Sequence, residues 1–195
     1  MSLVYCHRCT LPTPSCVCQQ APHILLDQPW ALLFHPREYS KHSNTGRLLK
    51  IAANVQSETW HRLRNQQLSE QFKHYTLLYP EESNINSINT TTELEKDHPK
   101  EQHAGYLIID ATWQESRKML RQSPWLAQLP RVSLNNTESR YALRRNQSRQ
   151  GLSTIETLSQ WLFEHGQRNS AQELLNFLQI FQSAYQQAQQ AGLLK

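Results

Sequence analysis

Apolar positions along the chain switch between continuous runs and helical spacing, and the switches mark the elements. "WALLFHP" at 30–36 is an apolar run ended at proline, which predicts a buried strand. "HYTLLYP" at 74–80 repeats the pattern and also meets proline. "GYLIID" at 105–110 predicts a third strand and "RVSL" at 131–134 a short fourth. Between them lie segments of helical character. Ser43, Asn44 and Thr45 offer N-cap oxygens to a helix running to about Val55. Further helices are predicted near 60–70, 112–122, 153–165 and 170–191. In the last, Leu174, Phe177, Leu178, Phe181 and Tyr185 share one stripe, a core-packing face. "STIE" at 153–156 is a capping box, with Ser153 as N-cap and Glu156 at the third helical position. The alternation predicts an α/β fold, a mostly parallel sheet with flanking helices.

Composition divides the chain further. Residues 1–22 hold all four cysteines, and 23–195 carry the α/β pattern. Within the latter, 81–104 is polar, lacks periodicity and reads as a flexible insertion. No apolar run reaches membrane-spanning length, and "MSLVYCHRCT" lacks the charged-then-apolar layout of a signal peptide. The expected setting is cytoplasmic, with no membrane and no obligatory protein partner. The net charge of +4 is mild, but it is unevenly placed. Five arginines (131, 140, 144, 145, 149) face one acid, Glu138, between Arg131 and Gly151. Arg117, Lys118 and Arg121 add cations at helical spacing. Such faces suit a phosphate backbone.

"CHRCTLPTPSCVC" sets Cys6, Cys9, Cys16 and Cys18 as C-x2-C-x6-C-x-C. In a cytoplasmic chain, thiolates gathered this closely point to a metal, and four sulfur ligands to structural Zn2+. His7 is a substitute ligand. Four protein ligands leave no open position for catalysis.

"YLIIDATWQESRKML" at 106–120 runs from buried strand to basic helix. Asp110 ends the strand, where an α/β sheet opens its ligand crevice. Its carboxylate can accept a proton, bind an amine or hold a loop. Thr112 can cap the next helix or meet a ligand. Trp113 reads first as packing under the sheet, and otherwise as a stacking surface for a base.

These motifs resemble those of a known family. "DATW" (110–113) matches the signature of the DTW-domain proteins. The cysteine pattern, "SNTGRL" (43–48), "YP" (79–80), "DATWQESRKM" (110–119), "SRYALR" (139–144) and "GLSTIE" (151–156) occur in that family's order. The resemblance implies a tRNA-uridine aminocarboxypropyltransferase. Such an enzyme moves the 3-amino-3-carboxypropyl group of S-adenosylmethionine to uridine N3, with tRNA position 47 favoured, and releases methylthioadenosine. It also implies a SPOUT-like sheet with a C-terminal trefoil knot. By resemblance Asp110, Thr112 and Trp113 are the catalytic candidates, with Asp110 either general base or ligand of the S-adenosylmethionine ammonium. Leu107, Ile109, Gly151, Leu152, Ser153, Thr154 and Glu156 join Asp110 as cofactor-pocket candidates. Arg47, Arg117, Lys118, Arg121, Tyr141, Arg144 and Arg145 are the RNA-binding candidates. Two other readings share the same features: an RNA methyltransferase on this fold, and a non-catalytic zinc-containing RNA-binding protein.

Overall fold

The computed structural model describes residues 4–80, 104–134 and 151–194. Its sheet has five parallel strands: β1 (Trp30–Phe34), β2 (Val55–Thr59), β3 (Tyr75–Leu78), β4 (Gly105–Asp110) and β5 (Arg131–Val132). They lie in the order β2-β1-β4-β3-β5. The α-helices among the described residues are α1 (Pro36–Tyr39), α2 (Gly46–Ala52), α3 (Asn65–Phe72), α4 (Trp113–Gln122), α5 (Pro124–Gln128), α6 (Thr154–Glu164) and α7 (Arg168–Gln190).

Strand side chains alternate between faces, so each central strand feeds two cores. Trp30, Leu32, Phe34 and Ile108 pack with α2, α6 and α7. Ala31, Leu33, Leu77 and Leu107 pack with α3, α4 and α5 on the other face. This double burial is why β1 and β4 read as unbroken apolar runs. The α7 stripe behaves as its spacing predicts: Leu174, Phe177, Leu178 and Phe181 are buried.

Two boundaries differ from the sequence expectation. The helix opening at Gly46 ends at Ala52, and Val55 instead begins β2. "VQSET" carries no apolar run because β2 is a partly exposed edge strand, where polar residues guard against further pairing. Pro36 does stop β1, but it also starts α1, where a proline lacks only an amide that would be unpaired anyway.

The cysteine-rich segment shares the main core. Cys9, Leu11 and Val17 are buried in the same cluster as Leu174 and Phe177. The Tyr5 hydroxyl donates to the Leu193 carbonyl at 3.2 Å, joining the two ends of the chain. The division near residue 22 is thus one of composition; in space the segment is built into one face of the domain.

Chain direction places the site. From β1 the chain moves outward through α1 and α2 to β2. From β4 it moves the opposite way, past β3, to β5. The two connections diverge between β1 and β4, where Phe34 and Asp110 are in register. In a parallel α/β sheet a crevice opens at such a divergence, beyond the carboxyl ends of the strands.

A polar network locks the opposite face. Trp60 Nε1 donates to Ser123 Oγ at 2.8 Å, and Ser123 Oγ donates to Asn65 Oδ1 at 2.7 Å. Trp125 Nε1 donates to that same oxygen at 3.1 Å, and Asn65 Nδ2 donates to the Gln122 carbonyl at 2.8 Å. Ser123 is wholly buried. Ser123→Ala leaves the buried Trp60 N–H unpaired, so urea unfolding is expected to show a loss of about 2 kcal/mol. A Ser123→Ala variant as stable as the parent would show that the network does not hold this face.

Candidate active site and metal centre

Asp110 ends β4 with only 1% of its surface exposed. Asn44 Nδ2 lies 3.0 Å from both carboxylate oxygens, which accept its N–H groups. The Asn44 carbonyl oxygen in turn accepts the Arg47 backbone N–H at 3.0 Å. One side-chain amide therefore joins the end of β4 to the start of α2. Gly46 is demanded by this closeness: a Cβ there would lie 1.8 Å from Asp110 Oδ2 and 2.7 Å from Phe34 Cε1. The Arg47 guanidinium lies 4.1 Å over the Tyr39 ring and donates to the Tyr39 carbonyl. Its Nε is buried with no hydrogen-bond partner among the described residues.

Across the crevice Thr112 caps α4. Thr112 N and Oγ1 donate to Glu115 Oε2 at 3.0 and 2.8 Å, and Glu115 N donates back to Thr112 Oγ1 at 3.3 Å. The capping role expected of Thr112 is thus present. Its reciprocal partner Glu115 is legible in the sequence as T-x-x-E at 112–115. The other Glu115 oxygen lies 3.3 Å from His35 Nδ1, and the His35 ring stacks on Trp60. The His35 backbone N–H donates to the Asp110 carbonyl at 2.9 Å. The Glu38 side chain, also buried, pairs with Lys41. His35, Glu38 and Glu115 form an ionisable group beside Asp110 that no short motif in the sequence announced. Burial pushes the His35 pKa down against the pull of Glu115. Burial raises that of Glu115, but the Thr112 hydrogen bonds and the His35 charge outweigh it and hold the carboxyl below its usual value.

Trp113 does not pack under the sheet. It sits in the first turn of α4 with 37% of its surface exposed, because the Thr112 cap turns it outward beyond the strand ends. Its indole stands edge-on to Tyr79, with centroids 5.5 Å apart and planes at 72°. Tyr79 is fixed by a 3.0 Å contact between its hydroxyl and Ser116 Oγ, and the Arg131 guanidinium lies 5.6 Å from its ring centre. Arg117, Lys118 and Arg121 are exposed along the same helix. Trp113, Arg117 and Arg121 follow each other at intervals of four, so they form one exposed stripe.

The α6 candidates lie at a helix start that packs on α2 and β4. Gly151 has φ +129°, a backbone state that favours glycine. Ser153 N donates to Glu156 Oε2 at 2.8 Å, so Glu156 serves the cap. Ser153, Thr154 and Glu156 are buried, while Leu152 is part-exposed. Ser153 Oγ is buried without a hydrogen-bond partner among the described residues. Leu107 is fully buried inside the core and Ile109 packs against the same cluster. Tyr141, Arg144 and Arg145 lie outside the described residues, as does 81–103 of the polar insertion.

The four cysteines converge. Their sulfurs all lie within 4.8 Å of one another, with Cys6–Cys18 at 3.7 Å and Cys9–Cys16 at 3.8 Å. Zn–S bonds of about 2.3 Å in a tetrahedron put neighbouring sulfurs about 3.8 Å apart, so the cluster fits a zinc ion. The short C-x-C half is accommodated by the 3-10 turns Thr13–Ser15 and Cys18–Gln20 that flank it. Burial opposes ionisation of Cys6, but the backbone N–H groups of Cys9 and Arg8 and two neighbouring thiols bring it down to about 6. Burial and the surrounding thiols push Cys18 up. One thiol primed to ionise among others that resist it is the arrangement a cation resolves, since it favours every thiolate at once.

Metal analysis of the purified protein should find one zinc per chain, lost in Cys9→Ser with a lowered melting temperature. A fully stable protein without metal would show that the cluster is four packed thiols. Acidification gives a second expectation. His35 has its folded pKa below the unfolded value of 6.5, and Glu115 below 4.5. In each case the unfolded chain binds more protons just below that pH, so folding stability falls as pH drops through each window. His35→Gln should flatten the fall in melting temperature that begins near pH 6.5; an unchanged slope would assign it to other groups.

Among the described residues no helix is long and apolar enough to cross a membrane. No solved structure matches this chain. The family model described as DTW domain matches residues 3–186, nearly the whole chain. That span includes the cysteine cluster, the Asn44–Asp110 bridge, the Trp113 stripe and the cap of α6. The chain belongs to the DTW-domain family, a family of tRNA modification that includes tRNA-uridine aminocarboxypropyltransferases.

Proposed function

We propose that this protein transfers the 3-amino-3-carboxypropyl group of S-adenosylmethionine to N3 of a tRNA uridine, with position 47 favoured. Family membership along nearly the whole chain carries the reading. The crevice supports it with the right kinds of atoms. When bound, S-adenosylmethionine supplies an electrophilic Cγ beside a sulfonium leaving group, which departs as methylthioadenosine. The amino-acid end of such a donor carries an ammonium and a carboxylate, and the chain offers a matching set. Asp110 is a buried carboxylate and Arg47 a cation whose buried Nε has no hydrogen-bond partner among the described residues. Ser153 adds a buried hydroxyl in the capping box at the start of α6.

Roles follow from placement. Asp110 is 1% exposed and both its oxygens already accept from Asn44, a setting for holding a cation rather than meeting an incoming base. We therefore assign it to the donor ammonium, ahead of the general-base role. Trp113 is the exposed aromatic at the crevice and offers the uridine a stacking surface. Arg117, Lys118 and Arg121 meet phosphates beyond it. The main catalytic contribution is orientation, which selects one of three sulfonium carbons for attack by N3. N3 forms its bond to Cγ as the Cγ–S bond breaks, the sulfur keeping the electron pair in methylthioadenosine, and the N3 proton passes to solvent water. A structural zinc in the cysteine cluster, a cytoplasmic setting, a monomeric state and a SPOUT-like knot complete this reading.

Purified protein incubated with unmodified tRNA and S-adenosylmethionine should yield aminocarboxypropyl-uridine and methylthioadenosine, read by mass spectrometry. Asp110→Ala should form neither. Trp113→Ala should raise KM for tRNA about tenfold, since a stacked base contributes about 1–3 kcal/mol. Affinity for tRNA should fall steeply with salt as counterions are released. Methylated nucleoside with S-adenosylhomocysteine would instead identify a methyltransferase. Binding without either product would favour an RNA-binding protein.

A further inference from the structure

The loop that holds Asp110 is itself held from outside the crevice. Residues 40–45 join α1 to α2 and carry Asn44, whose amide bridges the two carboxylate oxygens. Midway along this loop, His42 reaches the cysteine knuckle. Its Nδ1 lies 2.7 Å from the Thr10 carbonyl oxygen. A carbonyl only accepts, so Nδ1 carries the proton and donates. The Tyr5 ring stacks on the same imidazole, with centroids 5.0 Å apart and planes at 28°.

Both partners of His42 flank cysteines of the cluster: Tyr5 precedes Cys6 and Thr10 follows Cys9. The Thr10 carbonyl is aimed by the knuckle turn. Thr10 has φ +61°, an uncommon state for a residue with a branched side chain. It is kept there by its N–H to the Cys6 carbonyl at 2.9 Å and its hydroxyl to the Cys9 carbonyl at 2.7 Å. A metal held by Cys6 and Cys9 would lock the two ends of that turn together. A relaxed turn would let Thr10 leave the strained state, and its carbonyl would swing away from His42.

We infer that His42 is a positioning residue that couples metal loading of the knuckle to the placement of Asn44, and through Asn44 to Asp110. The route has two contacts and one covalent step: Thr10 to His42, two residues along the chain to Asn44, and Asn44 to Asp110. The metal centre therefore orders the crevice as well as stabilising the chain. The coupling goes beyond the proposed reaction and holds whichever transfer the crevice performs.

Hydrogen exchange measured by mass spectrometry tests this without any assay of activity. Peptides spanning 41–48 report the loop, and peptides from β1 and β4 report the sheet. Stripping zinc from the full-length protein is expected to speed exchange in the loop about tenfold, the order of one lost hydrogen bond, and to leave the sheet protected. His42→Ala should do the same while metal content stays complete, and stripping that variant should add little more. His42→Gln keeps an N–H donor and should recover part of the protection. Three results would overturn the inference: a protein that holds no zinc even when zinc ions are added, stripping that leaves loop exchange unchanged, or stripping that opens loop and sheet alike. A metal-replete His42→Ala variant with a fully protected loop would also overturn it.

Discussion

A carboxylate that is 1% exposed must be met by donors, and much of this structure answers that demand at Asp110. A buried charge left alone is costly enough to unfold a small domain. Here the answer is Asn44, whose amide nitrogen donates to both oxygens of Asp110 and whose carbonyl oxygen serves the first turn of α2. The arrangement dictates Gly46, because no Cβ fits beside the carboxylate. It also fixes where α2 begins, and so how the β1–β2 connection leaves the sheet. A motif that reads as "SNTGRL" followed much later by "DATW" is physically one object.

Around that object the crevice is built from two capped helices and one aromatic corner. Thr112 and Glu115 close the start of α4, and Glu115 reaches back to His35 after β1. The Glu115–His35 contact crosses between the connections that diverge at the switch point. The loops are therefore braced against each other as well as against the sheet. Trp113 is left facing outward on one side of the crevice, and the exposed Tyr39 ring lies under Arg47 on the other.

Much of this was legible in the chain. The buried strands β1, β3 and β4 announced themselves because both faces are covered, and the α7 stripe because one face is. The polar edge strand β2 is hard to tell from the end of the preceding helix, since an exposed strand carries no apolar run. Trp113 departs from its sequence pattern for a related reason: its large apolar side chain suggests a core, while its orientation depends on the cap one residue earlier. His35, Glu38 and Glu115 come together only through sheet register, which no local pattern encodes. The cysteine cluster, by contrast, was readable because all its ligands lie within one short turn-rich segment.

The Tyr5–Leu193 contact joins residues 188 positions apart, and the knuckle buries its apolar side against α7. During synthesis the knuckle leaves the ribosome well before α7 and must wait for it before it can be covered. Until α7 emerges, its thiols and Leu11 stay open to water, oxidants and other chains. Metal capture by the nascent knuckle would shield those thiols early, while closure of this face would be deferred until α7 follows. An unfinished chain would thus lack a closed core, and truncated products would be recognisable to the cell's proteases by that exposed N-terminal face.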